Sequence, residues 1–244
     1  MKKKIRLGVN IDHVATLRNA RNENFPNLSD VALLLTKCDV DLITVHLRED
    51  RRHILDEDIF DLKKNNFLPL NLEMAATSEM KEICIKLSPE FCCIVPEKRE
   101  ELTTEGGLDV RKQVKYLKDY IKNIKHKGIK VSLFVDPDIN QIDAAIEVGA
   151  DAVELHTGKY SLLFAKDSYK NELKRIQESA EYCAKNKIVC NAGHGLNFKN
   201  VSNISKIENI SELNVGHFIV AQSLFNGLKE TISIFREIIN ESRF

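Results

Sequence analysis

Short runs of β-branched and aliphatic residues recur along the chain, each followed by a turn and then by a segment with apolar positions every three to four residues. That alternation predicts repeated strand–helix units and a parallel sheet. Eight runs fit, at residues 5–10, 41–46, 68–73, 91–95, 129–135, 151–155, 187–191 and 212–216. The intervening helical stripes are regular. Met80, Ile83, Cys84 and Leu87 follow a cap at Thr77 or Ser78, and Val110, Val114, Leu117, Ile121 and Ile124 repeat the spacing, as do Leu173, Ile176, Ala180 and Cys183. Ile139, Ile142 and Ile146 follow the potential cap Asp138, and Gly149 stands where a left-handed terminal residue is wanted. Each stripe reads as packing against a sheet rather than as a cofactor box.

No Pro/Gly/Ser-rich linker, charge block or shift in composition divides the chain, so one domain is expected over residues 1–244. Eight consecutive βα units close into an α/β (β/α)8 barrel, the TIM-barrel architecture, whereas an open doubly wound sheet usually has about five or six strands. No GxGxxG follows the first strand, where a dinucleotide fold would place it. A short extra helix is expected over Phe218–Leu224.

The length of 244 residues suits one such barrel, and 43% hydrophobic with 30% charged residues is the balance of a soluble globular protein. Thirty-six basic and 36 acidic residues cancel, so no general cationic field attracts nucleic acid or anionic lipid, and any anion must be held locally. No apolar stretch approaches the roughly 18 residues that span a bilayer. Lys2, Lys3 and Lys4 resemble the start of a signal peptide, but Asp12 and His13 interrupt the apolar segment and export is not expected. The six cysteines form no CxxC pair and sit mostly in apolar runs, as reduced thiols of a cytoplasmic protein do.

A barrel places its chemistry where strands end and the following loops begin. His13, His46, His53, His156, His194 and His217, six of the seven histidines, lie at or just after a predicted strand end. Such windows hold roughly a sixth of a barrel chain, so about one histidine would fall there by chance. Glu73 closes its strand and Glu154 nearly does. A carboxylate there must be paired, hydrogen-bonded or shifted in pKa. Gly193, His194 and Gly195, together with Gly216 and His217, provide glycine turns whose amides can approach a phosphate.

Arg18, Arg21, Arg48, Arg51 and Arg52 cluster in the first two loops, where one or two are expected to touch a second anion. Residues 96–107 form a long polar loop with a Gly106–Gly107 pair that would hinge a lid. No lysine stands at a strand end, which argues against a protein Schiff base. Asp12 and His13 are neighbours expected on opposite sides of a strand, a poor metal pair, and no metal is expected.

Several motifs in order carry a family resemblance: Asn-Ile-Asp-His at 10–13, His-Leu-Arg-Glu-Asp-Arg-Arg-His at 46–53, Asn-Leu-Glu-Met-Ala at 71–75, and Pro-Glu-Lys-Arg at 96–99. Thr-Thr-Glu-Gly-Gly-Leu-Asp at 103–109, Glu-Leu-His-Thr-Gly at 154–158 and Asn-Ala-Gly-His-Gly-Leu at 191–196 continue it. Over nearly its whole length the chain resembles the pyridoxine 5′-phosphate synthase family, the ring-closing enzymes of vitamin B6 biosynthesis. The resemblance implies a barrel assembled as a homo-octamer, with neither metal nor organic cofactor. It implies two phosphorylated substrates, 3-amino-2-oxopropyl phosphate and 1-deoxy-D-xylulose 5-phosphate, which are joined into pyridoxine 5′-phosphate, inorganic phosphate and water.

By the same resemblance His46 and Glu73 match general bases, His194 a general acid and Glu154 a transition-state stabiliser. Asn10, Arg21, Gly195, Gly216 and His217 would hold the amino-ketone phosphate, and Asp12, His13, Arg48, His53 and Thr103 the pentulose phosphate. Two departures stand out: Asn22–Pro26 replaces a glycine-containing segment with Tyr-Pro, and Gln222 stands where an arginine is often found. The residues alone also leave room for an isomerase or aldolase acting on one sugar phosphate, and for a non-catalytic phosphometabolite binder.

Overall fold

The computed structural model describes residues 4–65, 67–96 and 106–243. Eight parallel strands form a closed barrel in sequence order: β1 (Arg6–Asn10), β2 (Leu42–His46), β3 (Leu70–Met74), β4 (Phe91–Ile94), β5 (Lys130–Val135), β6 (Ala152–His156), β7 (Val189–Gly193) and β8 (Ile210–Val215). β8 pairs back onto β1, with Gly8 opposite Asn214. The expected strands all form, with bounds within two residues. The two-residue offsets fall in β3, β7 and β8, and those in β7 and β8 coincide with a register shift at Cys190/Asn191 that one-dimensional alternation does not reveal.

The outer layer contains α1 (Asp12–Arg21), α2 (Leu28–Leu35), α3 (Asp56–Asn65), α4 (Ser78–Leu87), α5 (Val114–Lys125), α6 (Ile139–Glu147), α7 (Gly158–Phe164), α8 (Lys170–Lys185), α9 (Val201–Ser205), α10 (His217–Asn226) and α11 (Leu228–Arg243). The expected extra helix is α10. α1 and α7 likewise start within two residues of a strand end, so three helices rise directly from the mouth of the barrel. Thr77 and Asp138 cap as expected, their side chains accepting the Met80 and Asn140 amides. Gly149 adopts φ +80°, the left-handed conformation that its place after α6 requires.

Alternation along the strands sends two kinds of residue in opposite directions. Leu7, Val9, Ile43, Val45, Leu72, Ile94, Leu133, Val153, Leu155 and Leu213 join the core between strands and helices. The other set, Thr44, Asn71, Ser132, Glu154, Asn191, Glu212 and Asn214, is buried as well, yet polar. Branched aliphatic layers ordinarily fill the axis of such a barrel. Here the axis carries hydrogen-bonding groups. At the closed end Arg236 on α11, only 4% exposed, donates to the carbonyls of Ile5 and Asp39 and to Asp41, tying the last helix beneath β1 and β2.

Candidate active site

At the C-terminal ends of the strands a cavity of about 620 Å³ opens, within the range of small-molecule sites. All six strand-end histidines line it, with Asn10, Asp12, Arg48, Glu73, Glu154, Gly195 and Gly216. Asp12 and His13 both line it because they begin α1 instead of extending β1; the expected strand alternation does not apply to them. Arg21 is not brought in: it ends α1 with its side chain 80% exposed, 3.9 Å from Glu23. Of the arginine cluster only Arg48 reaches the cavity. Arg18 is spent on Asp58 and the His53 carbonyl, Arg51 on Asp56 and Glu79, and Arg52 on Asp50. The arginine-built second anion site therefore reduces to Arg48. Thr103 and most of the expected lid, residues 97–105, lie outside the described residues.

The acidic side of the site is assembled on the barrel axis. Asp12 accepts the His46 amide at 2.8 Å and the Asn10 side chain at 2.8 Å, which joins β1, β2 and α1 at the rim. Lower down, Asn214 donates Nδ2 to Glu154 (2.8 Å) and to Glu212 (3.0 Å), and its Oδ1 accepts from Thr44 (3.0 Å). Glu212 is also bonded by Asn191 and by Arg6. A side chain at Gly8 would overlap Asn214 Oδ1, and one at Gly193 would overlap Glu154. These two glycines make room for the network.

Burial, then the facing Glu154 and Asp12 charges, push the Glu73 carboxyl well above its ordinary range, against the pull of Arg48. Burial and the nearby Glu212 raise Glu154 from 4.5 to about 8, with the Asn214 bond opposing. The Cys93 thiol, between the two acids, is likewise pushed up by burial and then by their charges. On the histidine side, burial and then Arg48 and His53 hold His46 well below 6.5. His194 falls to about 4 through burial and its neighbours His156 and His217. Nε2 of His46 is buried without a partner among the described residues. His53 accepts the Ile54 amide on Nδ1, leaving Nε2 to carry its proton when neutral.

Across the cavity, His194 and Gly195 both adopt φ +78°, an uncommon conformation for a histidine. The turn is braced by Thr157, which donates to the carbonyls of Gly193 and His194, and by Ser161 and Asn200, which donate to that of Gly195. Gly216 packs on Asn10 and precedes α10, whose first turn has no side-chain cap. Amides at an uncapped helix start beside a glycine turn suit a phosphate. His13 and His217 meet there edge to face at 4.9 Å.

Asn214, Glu212, Asn191 and Asp136 were not singled out as site residues from the sequence, and His156 was read there only as one of the six rim histidines, with no role of its own. The available signal was spacing by two: Glu212, Asn214 and Gly216, and Asn191 and Gly193, are alternate positions leading to the glycine turns. Asp12, His46 and Glu73 each bring a ligand atom within 4.8 Å of one another, a spacing a cation could bridge. Both Asp12 oxygens are already engaged by Asn10 and His46, and the same three groups suit substrate hydroxyl and carbonyl groups.

A closed βα barrel whose mouth joins buried acids, imidazoles and glycine-rich anion turns is an acid–base enzyme of the phosphate-binding barrel class. Comparison narrows that class. The family model described as pyridoxal phosphate biosynthesis protein PdxJ matches residues 7–241, and the chain belongs to that family. A pyridoxine 5′-phosphate synthase of Sulfurihydrogenibium sp. is 53% identical over 242 residues, covering 98% of this chain and 99% of the relative. One from Prochlorococcus marinus (strain MIT 9515) is 52% identical over 234 residues, covering 96% and 98%. Among solved structures, N-(5′-phosphoribosyl)anthranilate isomerase from Pyrococcus furiosus superposes with a TM-score of 0.61 at 16% identity, covering 97% of this chain and 99% of that one, a likeness of fold alone.

Proposed function

We propose that the chain makes pyridoxine 5′-phosphate by condensing 3-amino-2-oxopropyl phosphate with 1-deoxy-D-xylulose 5-phosphate, releasing phosphate and water. The observation that carries this reading is the meeting of His46, Glu73, Glu154 and His194 in one cavity of a chain belonging to this family. Joining an amine to a ketone, expelling phosphate and closing an aromatic ring takes repeated proton transfers, which groups tuned toward neutrality perform best.

Glu73 is a stronger base than an ordinary carboxylate because burial and like charges raise it. His46 is held neutral, and its Nε2, which has no partner among the described residues, takes a proton when the ring's own proton is on Nδ1. Burial and the neighbouring imidazoles keep His194 neutral, and a phosphate dianion seated on Gly195, Gly216 and His217 favours its charged, donating form. Glu154 carries a proton at neutral pH and offers it as a hydrogen bond to a developing oxyanion. Asn10 belongs with the amino-ketone phosphate. Asp12, His13, Arg48 and His53 surround the pentulose phosphate. In this scheme Arg21 and Thr103 complete the two phosphate sites.

The test is a two-substrate assay with the product identified by mass and absorbance. Pyridoxine 5′-phosphate forming only when both substrates are present supports the reading. Turnover of either substrate alone points to an isomerase or aldolase, and binding without product to a non-catalytic protein. The reading extends to a cytoplasmic homo-octamer. Phe25, Leu224 and Phe225, exposed to 79%, 75% and 85%, are apolar surface of the kind association covers, and solution mass measures it.

A further inference from the structure

One buried imidazole in the cavity has no role in the scheme above. His156 ends β6 and is 4% exposed. Its Nδ1 lies 3.3 Å from Oδ1 of Asp136, which follows β5, and its Nε2 is buried without a partner among the described residues. The ring meets His194 edge to face at 5.1 Å and Phe134 at 5.1 Å. Gly158 lets the two imidazoles close on each other: a Cβ there would sit 2.5 Å from His156 Nε2 and 2.9 Å from His194 Cδ2. Asp136 is itself held, since the same Oδ1 accepts the Gly107 amide at 3.0 Å and a side chain at Gly107 would overlap the Asp136 backbone.

We propose that Asp136 and His156 form a positioning pair for His194: Asp136 keeps the His156 proton on Nδ1, and the ring so oriented fixes His194 in the attitude from which it passes protons to substrate. The proposal rests on the acid role of His194 read above. A carboxylate that accepts from one nitrogen of an imidazole selects its tautomer and its rotation. Asp136 is suited to this because the His156 bond, and then the Gly107 amide, hold its carboxyl below the usual range. The groups facing these three side chains are His217 toward His194, Arg175 of α8 toward Asp136, and Phe134 toward both imidazoles.

Histidine ¹⁵N NMR on the full chain without substrate is the direct test. His156 is expected as the Nδ1–H tautomer; finding the proton on Nε2 would overturn the proposal. Asp136→Asn should mix the tautomers and lower kcat by about tenfold to a hundredfold, the usual scale for a residue that orients a functional group, with KM within about threefold. Asp136→Glu should recover part of that loss. His156→Gln should move the His194 titration midpoint upward, because the His156 ring is one of the neighbours that hold it down. If His156→Gln leaves both the midpoint and kcat at wild-type values, the pair has no hold on His194 and the proposal fails while the synthase reading stands. If the wild-type protein forms no product from the two substrates, the synthase reading falls and the proposal falls with it.

Discussion

At the scale of single residues, the site depends on acids kept out of their ordinary range. Glu73→Gln should preserve the fold and ligand binding while slowing turnover by about 10² to 10⁴, the span for loss of a general base; steady-state kinetics beside a binding titration separate the two. Glu154 makes a prediction about stability. Its pKa is raised from 4.5 to about 8, so its contribution to folding is full below pH 4.5 and is lost as the pH climbs through 8. Glu154→Gln should lack that decline. Denaturant unfolding at pH 4.5 and pH 8 should show the variant gaining on wild type by on the order of a few kcal/mol; equal pH slopes would contradict the shift. His194 runs the other way, its contribution full above pH 6.5 and lost as the pH falls through 4. His46, Glu73, Glu154 and His194 were legible from chain position, because a barrel tells where strand-end residues converge. That Arg21 stands outside the cavity of the single chain was not legible, because a motif fixes residue type but not which way the last turn of α1 faces, and this chain departs from the family immediately after it.

At the scale of elements, the eight strands and the helical stripes were readable because the two periodicities differ and because Thr77, Asp138 and Gly149 punctuate the helices. What alternation alone did not reveal was how much of the inward face is polar. The strand expected at 68–73 was read with Glu73 as its closing acid, and only the closed register shows Asn71, Thr44 and Asn214 meeting across β3, β2 and β8. Gly8 tests that register. A methyl there must displace the Asn214 amide that joins Glu154 to Glu212, so Gly8→Ala should cost about 1–3 kcal/mol, the scale of overpacking, and should lower kcat although it stands a full turn of pleat below the mouth. Thermal unfolding and kinetics on the same preparation check this; unchanged kcat would mean that the amide does not set Glu154.

At the scale of the whole molecule, chemistry and closure occupy opposite ends of the barrel. Arg236 anchors α11 under β1 and β2 through two carbonyls and Asp41 and touches nothing in the cavity. Arg236→Met should therefore lose about 2–4 kcal/mol in urea unfolding, because buried carbonyls are left unpaired, while kcat below the transition stays at the wild-type value. A fall in kcat at full folding would show that the two ends are coupled.

The hydrophilic file along the axis, from Arg6 and Glu212 through Asn214 to Glu154, limits how this molecule can be hardened against heat. The common recipe of replacing interior polar groups by tightly fitted aliphatic bulk is closed to it, since each such exchange would strip a buried acid of the neighbours that tune it. Tougher variants of this enzyme must be sought in the helical jacket and its loops, with the hollow of the barrel left as it is.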